Sequence, residues 1–111
     1  MERDFMILCA NMVRRKDRRF WIEQKYPEIR GEKVQIVEAI DGRGISQEKL
    51  KRYPEGTNPS NYAVRLTKLI ALRRFLHSSR SHLLYLEDDV YLAPEFDETL
   101  GRALSCDTDL V

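Results

Sequence analysis

Apolar and polar positions fall into short runs that alternate between strand-like and helix-like spacing. Phe5-Met6-Ile7-Leu8-Cys9-Ala10 is a compact apolar run and reads as a first strand. A loop follows over residues 11–15, and Asp17 opens a helix to about Tyr26, where Pro27 stops it. Within that helix Trp21 and Ile22 can face a sheet, with Tyr26 one turn after Ile22. Val34-Gln35-Ile36-Val37 alternates weakly and reads as a second strand, ending in a turn marked by Gly42 and Gly44. Strand, helix and strand at this spacing predict a right-handed βαβ unit.

The second half repeats the alternation. Ser46 is placed to cap a short helix to about Arg52, and residues 53–60 form a loop rich in breakers. Asn58 or Ser60 caps a long helix expected over residues 61–76. Its apolar arc is Tyr62, Leu66, Leu69, Ile70, Leu72 and Leu76, and Arg65 and Arg73 fall inside it. Those arginines either snorkel, pair with a carboxylate, or reach a phosphate. Residues 82–87 form a third strand, Pro94 opens a helix to about Leu104, and residues 107–111 look like the start of a further strand. The expected fold is α/β, a Rossmann-like open parallel sheet. Strands near 5–10, 34–39 and 83–87 lie side by side with the first in the middle.

The chemistry concentrates at the end of the third strand. In Leu83-Leu84-Tyr85-Leu86-Glu87-Asp88-Asp89-Val90, four apolar residues read as a strand buried on both faces, and three carboxylates follow. Burying three unpaired charges is too costly, so they must emerge where the strand leaves the sheet, the edge at which open α/β sheets bind ligands. Alternation sends Glu87 and Asp89 to one side and Asp88 to the other. Two hard oxygen donors on one side suit Mg²⁺ or Mn²⁺ that also grips a phosphate-bearing ligand. The alternative is an acidic loop that caps a helix or solvates a turn.

Composition narrows the class. With 111 residues, 42% hydrophobic and 33% charged, the chain is expected to be one globular domain over residues 1–111. No apolar run is long enough to cross a bilayer, and the start, Met1-Glu2-Arg3-Asp4, lacks the pattern of a secretory signal. Cys9 and Cys106 form no CxxC pair, which points to reduced thiols and a cytoplasmic setting. Of the 19 Lys and Arg residues only Arg102 lies beyond residue 86, whereas eight of the 18 acids do. A basic body beside an acidic edge is compatible with an anion bridged by a metal, and equally with ordinary solvated surfaces. The basic residues form no dense stripe with interleaved aromatics, so no nucleic-acid partner is expected. Walker, GxGxxG, GxSxG and paired zinc motifs are absent, and neither His77 nor His82 has a Ser or Cys partner visible in the sequence.

Three stretches together resemble family 25 glycosyltransferases, the group of the bacterial lipopolysaccharide and lipooligosaccharide galactosyltransferases and the collagen galactosyltransferase relatives. Asn11-Met12-Val13-Arg14-Arg15-Lys16-Asp17-Arg18-Arg19 is similar to the family's INLxRRxDRR signature. Glu38-Ala39-Ile40-Asp41-Gly42 resembles its xAxDG turn. Leu84-Tyr85-Leu86-Glu87-Asp88-Asp89-Val90 resembles LILEDDV, with Pro94-Glu95-Phe96 as the helix start that follows. One element departs: where the family carries Gly-Cys-x-x-Ser-His, the Ser-His position falls at Thr67-Lys68. Lys68 can replace a histidine there only as a cationic donor, which leaves the standard substrate in question.

The resemblance implies a GT-A nucleotide-diphospho-sugar transferase fold, of which this chain would be the N-terminal half. It implies transfer of a hexose, commonly galactose, from a UDP-sugar to a glycan or other hydroxyl acceptor. On that reading Glu87 and Asp89 hold the divalent ion, and Asp88 meets ribose or sugar hydroxyls. Arg14, Arg15 and Arg18 follow the first strand beside Asn11, where the nucleotide binds, and Asp41 lies where base or ribose contacts fall; its alternative role is an Asp-Gly turn residue. No catalytic base is assigned. Because the acidic motif sits so near the end of the chain, a longer natural protein, a partner chain or a dimer is expected to complete the acceptor side. Two other readings remain open: a non-catalytic binding module of the same fold, and a receiver-like phosphoacceptor domain. The second lacks the paired acids after the first strand, where Asn11 stands.

Overall fold

A computed structural model describes residues 4–54 and 56–105. The apolar run at the start becomes the central strand β1 (Phe5–Asn11), followed by helix α1 (Lys16–Lys25). Two further strands, β2 (Glu28–Ile29) and β3 (Glu32–Glu38), precede a 3₁₀ turn (Gly42–Gly44) and the short helix α2 (Gln47–Leu50). The long helix α3 (Pro59–Leu76), strand β4 (His82–Glu87) and helix α4 (Phe96–Leu104) complete the order. The four strands form one open sheet in the order β2-β3-β1-β4.

β1 pairs in parallel with β3 on one side, from Ile7 opposite Val34 to Asn11 opposite Glu38. On its other side it pairs in parallel with β4, from Phe5 opposite His82 to Ala10 opposite Glu87. The expected side-by-side arrangement with the first strand in the middle is therefore present. Alternation along β1 divides the core into two layers. Phe5, Ile7 and Cys9 point to one face, where Ile22 of α1 and Leu100 and Leu104 of α4 cover them. Met6 and Leu8 point to the other, beneath Ala71 and Phe75 of α3. Chain order thus reverses between β1 and β4, and the ends of those two strands meet at the switch point of the sheet.

Two expectations need correction. The sheet is mixed, not purely parallel, because β2 runs antiparallel to β3. Arg30 and Gly31 both have positive φ (52° and 80°), which is what a two-residue hairpin turn requires. Only the glycine of that pair belongs to the usual turn vocabulary, so the hairpin is hard to see in the residues. Arg30 also donates to the Asp97 carboxylate at 2.9 Å, tying the hairpin to α4.

The second correction concerns α3. It buries Ala63, Thr67 and Ala71, small residues four apart, and not the arc of large residues. Leu69, Ile70, Leu72 and Leu76 are exposed, as are Arg65 and Arg73. Close approach of a helix to a sheet selects the face with the least side-chain bulk. The cap at Asn58 is present, its side-chain oxygen accepting from the Ser60 N–H at 2.7 Å, with Pro59 at the first helical position. The strand expected at 107–111 lies outside the described residues. No helix among the described residues is long and apolar enough to cross a membrane.

Candidate functional site

At the switch point, the last residue of β1 and the turn after β4 are joined. Asn11 is 3% exposed, and its side-chain N–H donates to Asp88 Oδ2 at 2.8 Å and to the Arg15 carbonyl at 3.2 Å. Asp88 is itself only 7% exposed. A carboxylate that far from water needs a partner for its charge: Asn11 donates the hydrogen bond, and Arg18, 3.5 Å from Asp88 Oδ1, supplies the countercharge. Glu87 ends β4, and the chain then turns, the Val90 N–H donating to the Glu87 carbonyl at 3.3 Å. Strand alternation stops there, so Asp88 and Asp89 converge on the same guanidinium, with Arg18 Nη1 3.8 Å from Asp89. Glu87 and Asp89 remain exposed, and the Glu87 carboxylate has no hydrogen bond or ion pair among the described residues.

The opposite wall is the turn after β3. Asp41 accepts from the Arg43 N–H at 3.0 Å and from Arg14 Nε at 2.9 Å. The Arg43 hydrogen bonds, reinforced by Arg14, hold its carboxyl down at about 2. The turn is pinned to α3 from two directions. The Ile40 N–H donates to Thr67 Oγ1 at 3.0 Å, while the Thr67 hydroxyl donates to the Ala63 carbonyl at 2.8 Å. A Cβ on Gly42 would lie 3.0 Å from the backbone of Pro59 and Ser60, so any side chain there would push the start of α3 away from the turn.

Between these walls lies an open cleft of about 420 Å³, lined by Arg14, Arg18, Asp41, Arg43 and all three residues of the acidic triplet. Its negative side reaches into the core: burial first, and then Asp88, Asp89 and Glu87, push the Cys9 thiol up to about 12. Larger hollows exist, among them one of about 530 Å³ bordered by α1 and β3. It lies away from the C-terminal ends of the strands and from the acidic triplet, and no acid of that triplet lines it.

The residues singled out in the sequence separate into groups. Glu87, Asp88, Asp89, Arg14, Arg18 and Asp41 share the cleft. Asn11 stands behind it as the buried partner of Asp88. Arg15 turns away and pairs with Asp17 at 2.8 Å, so of the three arginines that follow β1 only Arg14 and Arg18 reach the cleft. Lys68 is exposed on α3 and does not line the cleft, whereas its neighbour Thr67 does. Arg43 belongs to the site without having been singled out; its only signal was its place directly after Asp41-Gly42. No histidine lines the cleft.

Fold and site together define an α/β domain with an open mixed sheet and a charged cleft at the switch point. No protein-family model, curated protein or solved structure matches the chain.

Proposed function

We propose that this is a GT-A-type, family 25-like glycosyltransferase domain that binds a UDP-sugar and transfers a hexose, galactose being the first choice, to a hydroxyl of a glycan acceptor. The observation that carries the proposal is the convergence of Arg14 and Arg18 with Glu87, Asp88 and Asp89 in one cleft at the switch point. Guanidiniums in such a place can grip a diphosphate through paired N–H donors. Magnesium and manganese are commonly held by one or two carboxylates together with substrate phosphates. Glu87 and Asp89 are exposed carboxylates that line the cleft, hard oxygen donors of the kind such an ion takes. A divalent ion bound there supplies Lewis-acid neutralisation of the charge that gathers on the diphosphate.

In the transfer itself, the acceptor oxygen forms a bond to the anomeric carbon as the bond from that carbon to the diphosphate oxygen breaks. The electron pair leaves with the diphosphate, and the hydroxyl proton passes to a base. Arg14 and Arg18 orient the leaving group and Asp88, held by Asn11, accepts from ribose or sugar hydroxyls. An adjoining hollow of about 650 Å³ shares Arg14, Asp41 and Arg43 and has the room for a nucleoside.

A second reading, a nucleotide-sugar-binding module without turnover, is favoured by one observation. Lys68 lies outside the cleft and Thr67 is committed to holding the Asp41 turn, which leaves α3 without an evident proton acceptor. Incubation with UDP-galactose, Mn²⁺ and a panel of sugar acceptors separates the two. Saturable glycosylated product supports transfer; UDP binding without product supports the module; neither contradicts both.

A further inference from the structure

Beyond the acidic turn, on the side of Asp88 and Asp89 that faces α1, lies a shallow, open hollow of about 310 Å³. Its walls are Asp17, Arg18 and Trp21 from α1 and Asp88, Asp89 and Tyr91 from the turn after β4. Three of these residues, Arg18, Asp88 and Asp89, also line the larger cleft, so the two spaces meet across the acidic turn.

The aromatic floor has a definite construction. Asp17 and Trp21 are four apart in α1 and therefore share a face. The Trp21 ring meets Tyr91 with centroids 5.0 Å apart and planes at 58°, and meets Tyr26 edge-on at 6.0 Å. The Tyr26 hydroxyl accepts from the Leu92 N–H at 3.0 Å, which anchors the backbone beside Tyr91. Tyr91 is nevertheless 77% exposed. A tyrosine that far in solvent contributes little to the core, and its open face lies beside carboxylates.

We infer that Trp21, Tyr91, Asp17 and Asp89 form a pyranose-binding subsite that adjoins the diphosphate cleft and shares Asp89 with it. A sugar ring presents an apolar face of C–H groups and an edge of hydroxyls. The first packs on an aromatic face and the second needs acceptors. Ionised Asp17 and Asp89 are acceptor-only groups at the rim of such a face. Hydrogen bonds from Arg15 hold the Asp17 carboxyl well below the usual carboxylate range, so it stays an acceptor at any working pH. A quaternary ammonium fits less well. Arg15 already neutralises Asp17, Arg18 stands between Asp88 and Asp89, and two tilted rings do not make a cage. Resting on the glycosyltransferase reading, this subsite takes the acceptor sugar and brings its hydroxyl toward the donor across the acidic turn.

Trp21 is the only tryptophan of the chain, so its emission reports occupancy of this hollow directly. Methyl β-galactoside, methyl β-glucoside and choline are titrated into the intact protein while tryptophan emission is followed, and UDP affinity is measured separately by calorimetry. The expected result is a saturable change with a methyl hexoside, weakened about tenfold in Tyr91→Ala, the scale of losing one stacking partner. Asp17→Asn weakens the same response, Tyr91→Phe restores it, and UDP affinity in Tyr91→Ala equals that of the parent. Sugar binding without UDP binding supports the subsite and overturns the donor reading. UDP binding with no response to either hexoside, equal sugar affinity in parent and Tyr91→Ala, or a response to choline alone overturns the subsite.

Discussion

The two ends of the sheet carry similar charges and use them differently. At the start of the strands, Arg80 bonds the Asp4 carboxylate at 3.0 Å and Glu32 at 2.7 Å, joining residues at the beginnings of β1, β3 and β4. One guanidinium and two acids satisfy each other there, and none of the three lines the cleft. At the other end Arg14 and Arg43 close on Asp41 at 2.9 and 3.2 Å, but Arg18 stands among acids at 3.5 and 3.8 Å, Glu87 and Asp89 are exposed, and a cleft opens. Charges that close on one another hold a fold together. Charges left long and loosely paired at a sheet's ligand-binding edge are available to something else.

Substitutions at the two ends test that difference. The largest effect on stability is expected from Asn11→Leu, which leaves the buried Asp88 carboxylate with Arg18 as its one partner. The cost is about 2–3 kcal/mol, measurable as a lower urea midpoint. A midpoint equal to the parent's would mean that Asp88 does not depend on Asn11. Arg80→Ala comes next, costing about 1–2 kcal/mol because its partners are partly solvated, with UDP affinity unchanged. A loss of UDP affinity in that variant would dissolve the distinction between the two ends.

Smaller effects appear in the pH dependence. Cys9 has its pKa raised from 9.0 to about 12, so the unfolded chain loses this proton first. Stability therefore falls as pH rises from 9 toward 12, and Cys9→Ala removes that part of the decline. Asp41 is shifted the opposite way, from 3.8 to about 2. Its contribution is present above about pH 4 and is lost as pH falls through 2; Asp41→Asn flattens that acid limb of the stability curve. If the two variants follow the parent's limbs, the fields assigned to the acidic edge and to the Asp41 turn are wrong.

Much of this arrangement was legible in the residues. Long apolar runs and crossover rules place β1 between its partners, and that order alone brings Asn11 beside the acidic turn. Side-chain pairing was not legible. Nothing in the spacing tells that Asn11 donates to Asp88 or that Arg15 prefers Asp17, because both depend on where the backbone turns after a strand ends. The face of α3 was misjudged for a related reason: large apolar residues mark a helix as amphipathic, but contact distance to the sheet is set by Ala63, Thr67 and Ala71. The β2 hairpin was missed because an arginine fills a turn position that asparagine or glycine usually takes.

The central claim, that the loosely paired end binds a nucleoside diphosphate with a divalent ion, is tested by calorimetric titration of UDP into the parent and into Asp89→Ala, each with and without Mn²⁺. Saturable binding in the parent is predicted to weaken about tenfold or more without Mn²⁺. The variant should lose this dependence while its melting temperature stays level or rises slightly, because one of three crowded acids is gone. Equal UDP affinity in parent and variant with Mn²⁺ present would contradict the claim.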